Sequence, residues 1–250
     1  MFYLVPIIFF CIAFVFSMLG LGGAQLYIPI LYWIRFDFKT QAIPLGMLLN
    51  VVSSATAATT YATKRMVDWK AALPFAVAMF IFPPLGAWFN ARIPAKPLIA
   101  FFAIFTAAAA TLMLSGWKPK KGKISSGKRV FIGLSGGGVL GLIAGLIGRG
   151  GGSFVVPMLY VAGLEAKIAA ATSAVVITFS GISSFISHIA IAARPNWPVW
   201  LACALSVFLG SKLGSHFMSE KLNSKGVRIV FGIVLWMVAL FLFIHDVLLK

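Results

Sequence analysis

The sequence predicts an all-α polytopic membrane protein made of two homologous halves, and three observations carry that prediction. Of its 250 residues, 61% are hydrophobic and 10% are charged, whereas soluble domains run about 45–50% apolar and about 25% charged. Eight apolar stretches are long enough to cross a hydrocarbon core, which takes about 20 helical residues. A set of glycine, proline, lysine and tryptophan landmarks recurs at a fixed offset of 128 residues.

Taken in order, residues 2–19 have no basic n-region and no small-x-small cleavage pattern before the following glycines. They read as a first span and not as a signal peptide. Residues 22–34 are apolar but too short for a normal span, and they follow a glycine cluster. Such a segment reads as a half-helix or re-entrant piece, tolerated at membrane depth only when packed in protein or lining a cavity. Spans near 41–63, 70–90 and 97–115 complete an N-terminal repeat over residues 1–115. The linker 116–129 carries Lys118, Lys120, Lys121, Lys123, Lys128 and Arg129 and no acid, which makes it cytoplasmic by the positive-inside tendency. The C-terminal repeat, 130–250, holds spans near 130–147, 168–193, 198–217 and 227–248, with a second short segment at 150–163.

The 21 bases exceed the 5 acids by a formal charge of +16, but they sit in short connectors instead of on one face. That distribution fits membrane orientation and attraction to anionic lipid, not nucleic acid. Cys11 and Cys203 lie far apart in apolar runs, outside any CxxC or Cys/His cluster. They predict neither a disulfide framework nor a metal site.

The offset of 128 places Gly20, Gly22, Gly23, Pro29, Leu31 and Tyr32 on Gly148, Gly150, Gly151, Pro157, Leu159 and Tyr160. Without a gap it then pairs Lys39 with Lys167, Trp69 with Trp197 and Gly86 with Gly214, among sixteen identities over the 70 positions from 20 to 89. Duplicated halves broken at corresponding places are the sequence signature of secondary transporters, whose site lies where the breaks meet. If each broken segment crosses the membrane, the halves are inverted. One side then collects Lys64, Arg65, Lys70, the six linker bases, Lys167, Lys221, Lys225 and Arg228. That split is sharper than the one parallel halves give, so the charge rule favours inversion.

The breaks read Gly20-Leu-Gly-Gly-Ala-Gln-Leu-Tyr-Ile-Pro29 and Gly148-Arg-Gly-Gly-Gly-Ser-Phe-Val-Val-Pro157. Glycines let the backbone leave the helix and present amides at the start of the next helical piece, where the dipole adds partial positive charge. Such an end binds anions. Two of them, from Gly20, Gly22 and Gly23 and from Gly148, Gly150 and Gly151, would form a cradle, with Gln25 and Ser153 beside it. Arg149 is the one charged residue inside a break; it reads equally as a site residue or as an interfacial arginine on lipid phosphate. Gly133, Gly137, Gly141 and Gly145, by contrast, have the spacing of a helix-packing stripe.

Asp37, Asp68, Glu165, Glu220 and Asp246 fall in connectors or near span ends. The lack of a central carboxylate weighs against cation carriage and favours an anion. Among the Ser, Thr and Asn residues of the spans after each break, Asn50 and Thr178 are paired by the offset and are the leading side-chain ligands. His188 is a candidate for proton coupling, and Lys212 reads as a snorkelling base. Gly122–Lys128 fits GxxxxGK, but Arg129 replaces Ser/Thr and no strand precedes it; Gly136, Gly138 and Gly141 fit GxGxxG inside an apolar span. Neither context supports nucleotide binding. No HExxH, paired acids or metal set is present, so an enzyme is not expected and no cofactor is implied.

Where GLGGAQLYIPIL and GRGGGSFVVPML recur 128 residues apart, the chain resembles the sulfite exporter TauE/SafE family of membrane permeases. The resemblance covers nearly the whole chain. It implies movement, often outward, of small sulfur-containing anions or organosulfonates such as sulfite or sulfoacetate across the plasma (inner) membrane. The family motif falls on Gly20, Gly22, Gly23 and Pro29, and on Gly148, Gly150, Gly151 and Pro157; Ala24 stands where the second copy has Gly152. The expected partners are a small inorganic or organic anion and the lipid bilayer, with a homo-oligomer possible. Alternating access is expected from rocking one half against the other. A membrane assembly or interaction protein and an anion channel are the competing readings.

Overall fold

The computed structural model describes residues 4–90, 95–117, 126–147, 152–189, 192–193 and 195–242. These residues form ten α-helices: α1 (Val5–Met18), α2 (Ala24–Trp33), α3 (Ile43–Thr63), α4 (Trp69–Asn90), α5 (Ala95–Leu114), α6 (Ser126–Ile147), α7 (Gly152–Val161), α8 (Ala166–Ile189), α9 (Trp197–Lys221) and α10 (Ser224–Leu242). A π turn, Phe38–Ala42, leads into α3 behind Asp37, whose carboxylate accepts from Thr40 Oγ1 (2.7 Å) and Thr40 N (2.8 Å). Those two bonds hold the Asp37 carboxyl below the usual carboxylate range. Five helices are long and apolar enough to cross a membrane, and three shorter apolar ones accompany them. The molecule is a multi-pass, all-helical integral membrane protein.

The sequence places the elements well, with one difference at the linker. Helix α6 begins at Ser126 and so includes positions 128 and 129 of the expected linker. Residues 118–125 of the linker lie outside the described residues.

The bounds of α2 and α7 differ by 128 at both ends. Both helices close on the same turn: Phe36 N donates to Leu31 O and Leu164 N to Leu159 O, each at 3.1 Å. The residue inside that turn has positive φ in each case, 72° at Arg35 and 96° at Gly163. This is the six-to-one helix ending, which favours glycine.

Helices α3 and α8, which the offset pairs, run in opposite directions. At one end of the bundle Asp68, just after α3, donates its amide to Thr172 near the start of α8 (3.1 Å). At the other end His188 of α8 lies beside Met47 of α3. The first end also gathers Lys64 with Glu220 (2.5 Å), Lys167 with Ser219 O (2.8 Å) and Ser224 with Glu165 (3.2 Å). It is the basic end.

Packing is tightest where small residues let helices cross backbone to backbone. A Cβ on Gly86 of α4 would lie 2.2 Å from Leu142 O of α6, and one on Gly214 of α9 would lie 2.0 Å from Phe14 O of α1. Both members of the first crossing are 128 residues from their counterparts in the second. The stripe Gly133, Gly137 and Gly141 does seat α6 against Pro74, Ala78 and Phe82 of α4. Because α1 packs on α9 and α6 on α4, the halves interleave. Rocking one sequence half against the other would have to open both crossings, so any moving body must cut across the halves.

Buried apolar side chains form two clusters, one around α1, α2, α3 and α9 and a larger one joining α4–α8 and α10. Outward-facing Ile7, Val77, Ile104, Phe131, Leu205 and Met237 are exposed, as expected of a surface solvated by lipid.

Candidate functional site

The chain between α1 and α2 leaves the helix through three glycines with φ of 67° (Gly20), 78° (Gly22) and 110° (Gly23). L-residues rarely adopt this conformation, and the space is closed as well. A Cβ on Gly20 would meet Ala170 O at 2.0 Å and one on Gly22 would meet Asn50 Oδ1 at 2.2 Å. The break is pinned from three sides. Tyr61 donates to Ser17 O (2.7 Å), Ser173 of α8 donates to Gly20 O (2.9 Å), and Ala24 N donates to Asn50 Oδ1 (3.2 Å).

Helix α2 therefore starts in the protein interior with its positive end facing other helices. In its first turn Gln25 is 3% exposed. Its Oε1 accepts a hydrogen bond from Ser153 Oγ, which belongs to the first turn of α7. Gln25 and Ser153 are themselves 128 residues apart, so the two broken helices touch at matching positions. Gln25 Nε2 is buried with no hydrogen-bond partner among the described residues. Buried amide donors are nearly always paired, and leaving one unpaired costs about 1–3 kcal/mol. Proline at the sixth position of each helix, Pro29 and Pro157, removes the amide that would otherwise take the carbonyl of Gln25 or Ser153.

The structure thus brings Gly20, Gly22, Gly23, Gln25, Asn50 and Ser153 together. Gly148, Arg149, Gly150 and Gly151 lie outside the described residues. Thr178 lies on α8 with its hydroxyl donating to Ala174 O at 2.8 Å, bonded back to its own helix in the manner common for Thr in spans. His188 is away from the break, at the end opposite the basic one. Its Nδ1 contacts Ser184 O at 2.8 Å, which puts the hydrogen of the neutral ring on Nδ1 and leaves the Nε2 lone pair. With Ser184, Ser187, Met47, Pro83, Pro84, Ala144 and Gly145 it lines a cavity of about 20 Å³, room for about one water molecule.

Sequence reasoning missed two participants. Tyr27 is fully buried beneath Gly23 with its hydroxyl toward Ser53; its place two residues beyond Gln25 in a broken segment was the available signal. Ser173 anchors the carbonyl of Gly20 across the halves.

Four of the five acids have described positions. Asp37, Asp68 and Glu165 precede helices, and Glu220 lies in the last turn of α9. Among the described residues, the meeting point of α2 and α7 is lined by amide, hydroxyl and backbone groups.

A multi-pass bundle whose two short, interrupted helices start in the interior and meet there has the architecture of a membrane transporter. Comparison with known proteins gives the same class. The chain belongs to the sulfite exporter TauE/SafE family, whose sequence profile matches residues 5–242. It is 27% identical over 244 residues to "Probable membrane transporter protein YunE" of Bacillus subtilis, covering 88% of this chain and 89% of that protein. A protein of Methanocaldococcus jannaschii with the same description is 26% identical, with 96% and 94% covered. Another from Sinorhizobium fredii is 26% identical, with 92% and 93% covered.

Proposed function

We propose that the chain is a secondary transporter that exports small sulfur-containing oxyanions or organosulfonates, such as sulfite or sulfoacetate, across the plasma membrane. The substrate sits between the N-termini of α2 and α7. The observation that carries this reading is the buried, unpaired Nε2 of Gln25 between two positive helix ends, a donor in want of an acceptor. The family's name supplies the sulfur oxyanion class.

In this reading the two halves are inverted copies, and the basic end faces the cytoplasm. Gly20, Gly22, Gly23 and Gln25, with Gly148, Gly150 and Gly151, line the site, Arg149 adds charge, and Thr178 lies at its edge. His188, at the outer end, takes up a coupling proton on Nε2. The helix ends hold an anion without a resident cation, because each contributes about half a positive charge through its dipole.

The test is trans-stimulated uptake of labelled sulfite into proteoliposomes, with sulfate, thiosulfate, sulfoacetate and chloride as competitors. Saturable uptake accelerated by internal sulfite supports a carrier, and the competitor ranking defines the substrate. Uptake that neither saturates nor responds to internal anion supports a channel instead. No uptake by a folded protein would end the transport reading for these anions.

A further inference from the structure

One amide at the start of α2 already has an acceptor of its own. Asn50, 2% exposed on α3, lends Oδ1 to Ala24 N–H across 26 residues of sequence. The carboxamide is clamped on both edges. Oδ1 lies where a Cβ on Gly22 would be, 2.2 Å away, and Nδ2 is 2.9 Å from where a Cβ on Gly181 of α8 would be. Glycine at 22 and at 181 is what gives the side chain this place. The matching residue in the second half, Thr178, turns its hydroxyl to Ala174 O instead.

A side-chain carbonyl is the neutral imitation of an oxyanion oxygen: an acceptor of similar size with partial negative charge. At a helix N-terminus it satisfies the amide and the dipole without a ligand. The next residue, Gln25, holds the unpaired Nε2. One donor in this first turn is therefore occupied by the protein and a neighbouring one is left open.

We infer that Asn50 Oδ1 is a resident stand-in for a substrate oxygen, a competing cap on Ala24 N–H that an entering oxyanion displaces. The inference rests on the proposed anion site. It gives the empty carrier a satisfied Ala24 amide, so that of these two neighbouring donors Gln25 Nε2 alone waits for the ligand. It also refines the substrate class. The ligand needs one oxygen for Ala24 N–H and another for Gln25 Nε2, so polyoxygen anions are favoured over halides, which offer a single acceptor centre.

Displacement exchanges one hydrogen bond for another, so the cap weakens apparent affinity by about the net worth of one bond, roughly 3- to 10-fold. The test is equilibrium binding of labelled sulfite to the purified full chain in nanodiscs, with chloride and methanesulfonate as competitors and Tm recorded alongside. Asn50→Ala should bind sulfite about 3- to 10-fold more tightly, at a lower Tm. Asn50→Asp keeps the shape but makes the cap a full anion; it should lose more than about tenfold in affinity without a fall in Tm. Should Asn50→Ala not fold, Asn50→Ser is read in its place, since its short hydroxyl does not span the gap.

Binding by the alanine or serine variant that is equal to or weaker than wild type overturns the competing cap while leaving the anion site standing. Failure of the wild-type chain to bind any oxyanion overturns the site and the cap together.

Discussion

Helices α2 and α7 have the same length, the same proline and the same closing turn, yet the residues around their starts differ. Around α2 stand Asn50, Tyr27 and Ser53, with Ser53 accepting from Ser211 at 2.8 Å. The offset of 128 puts Thr178, Val155, Gly181 and Pro83 at those places. Even the acids at one register diverge: Asp37 caps its own turn, whereas Glu165 accepts from Ser224 on α10. What recurs is what sets backbone geometry, and what differs is what touches polar groups in the interior. The architecture is built by near-repetition and the chemistry by its breakdown.

The largest effects should come from the recurring geometry. Gly86→Leu and Gly214→Leu each drive a side chain into a carbonyl of the facing helix, and overpacking of that kind typically costs about 1–3 kcal/mol or more. Both should sharply reduce the yield of monodisperse protein on fluorescence-detected gel filtration, and to a similar degree. A variant tolerated at one crossing and lost at the other would break the equivalence of the two halves.

Next in size is Gly22→Ala, which meets both a positive φ and Asn50 Oδ1. Sulfite uptake should fall at least about tenfold, as expected for roughly 1–3 kcal/mol of backbone strain. Near-normal uptake at normal abundance would contradict the place given to Asn50.

The smallest effect sharpens the comparison directly. Arg35 adopts in the first half the left-handed conformation that Gly163 adopts in the second. Arg35→Gly should therefore raise Tm, by relief of about 1 kcal/mol set against glycine's greater chain entropy. A clear fall in Tm would mean that the Arg35 side chain does something at that turn that Gly163 does not need.

Much of this was legible in the sequence because membrane solvation is a strong constraint. Apolar length and glycine clusters placed short segments at 22–34 and 150–163, within two residues of the bounds of α2 and α7, and the offset paired Gln25 with Ser153. The contact between those two residues was not legible. An offset says which positions are equivalent, and only the packing of the halves says that these two lie close enough to touch. Interleaving was hidden for the same reason, since Gly214 carries no local sign that its partner is Phe14. The cap by Asn50 depends on two glycines in different halves yielding space, a tertiary property with no sequence period.

The central claim is that the donors between α2 and α7 serve a ligand and not the fold. Its most direct test is one experiment on the double variant Gln25→Leu, Ser153→Ala, which removes the free donor without orphaning the Ser153 hydroxyl that Gln25 Oε1 accepts from, measuring labelled sulfite binding and Tm on the same preparation. Because Gln25 Nε2 has no partner among the described residues, the account predicts that binding drops more than about tenfold while Tm holds, both partners of the Gln25–Ser153 bond having been replaced by apolar groups and the unpaired amide, which cost about 1–3 kcal/mol, removed. Unchanged binding, or a loss of binding accompanied by a steep loss of Tm, would contradict it.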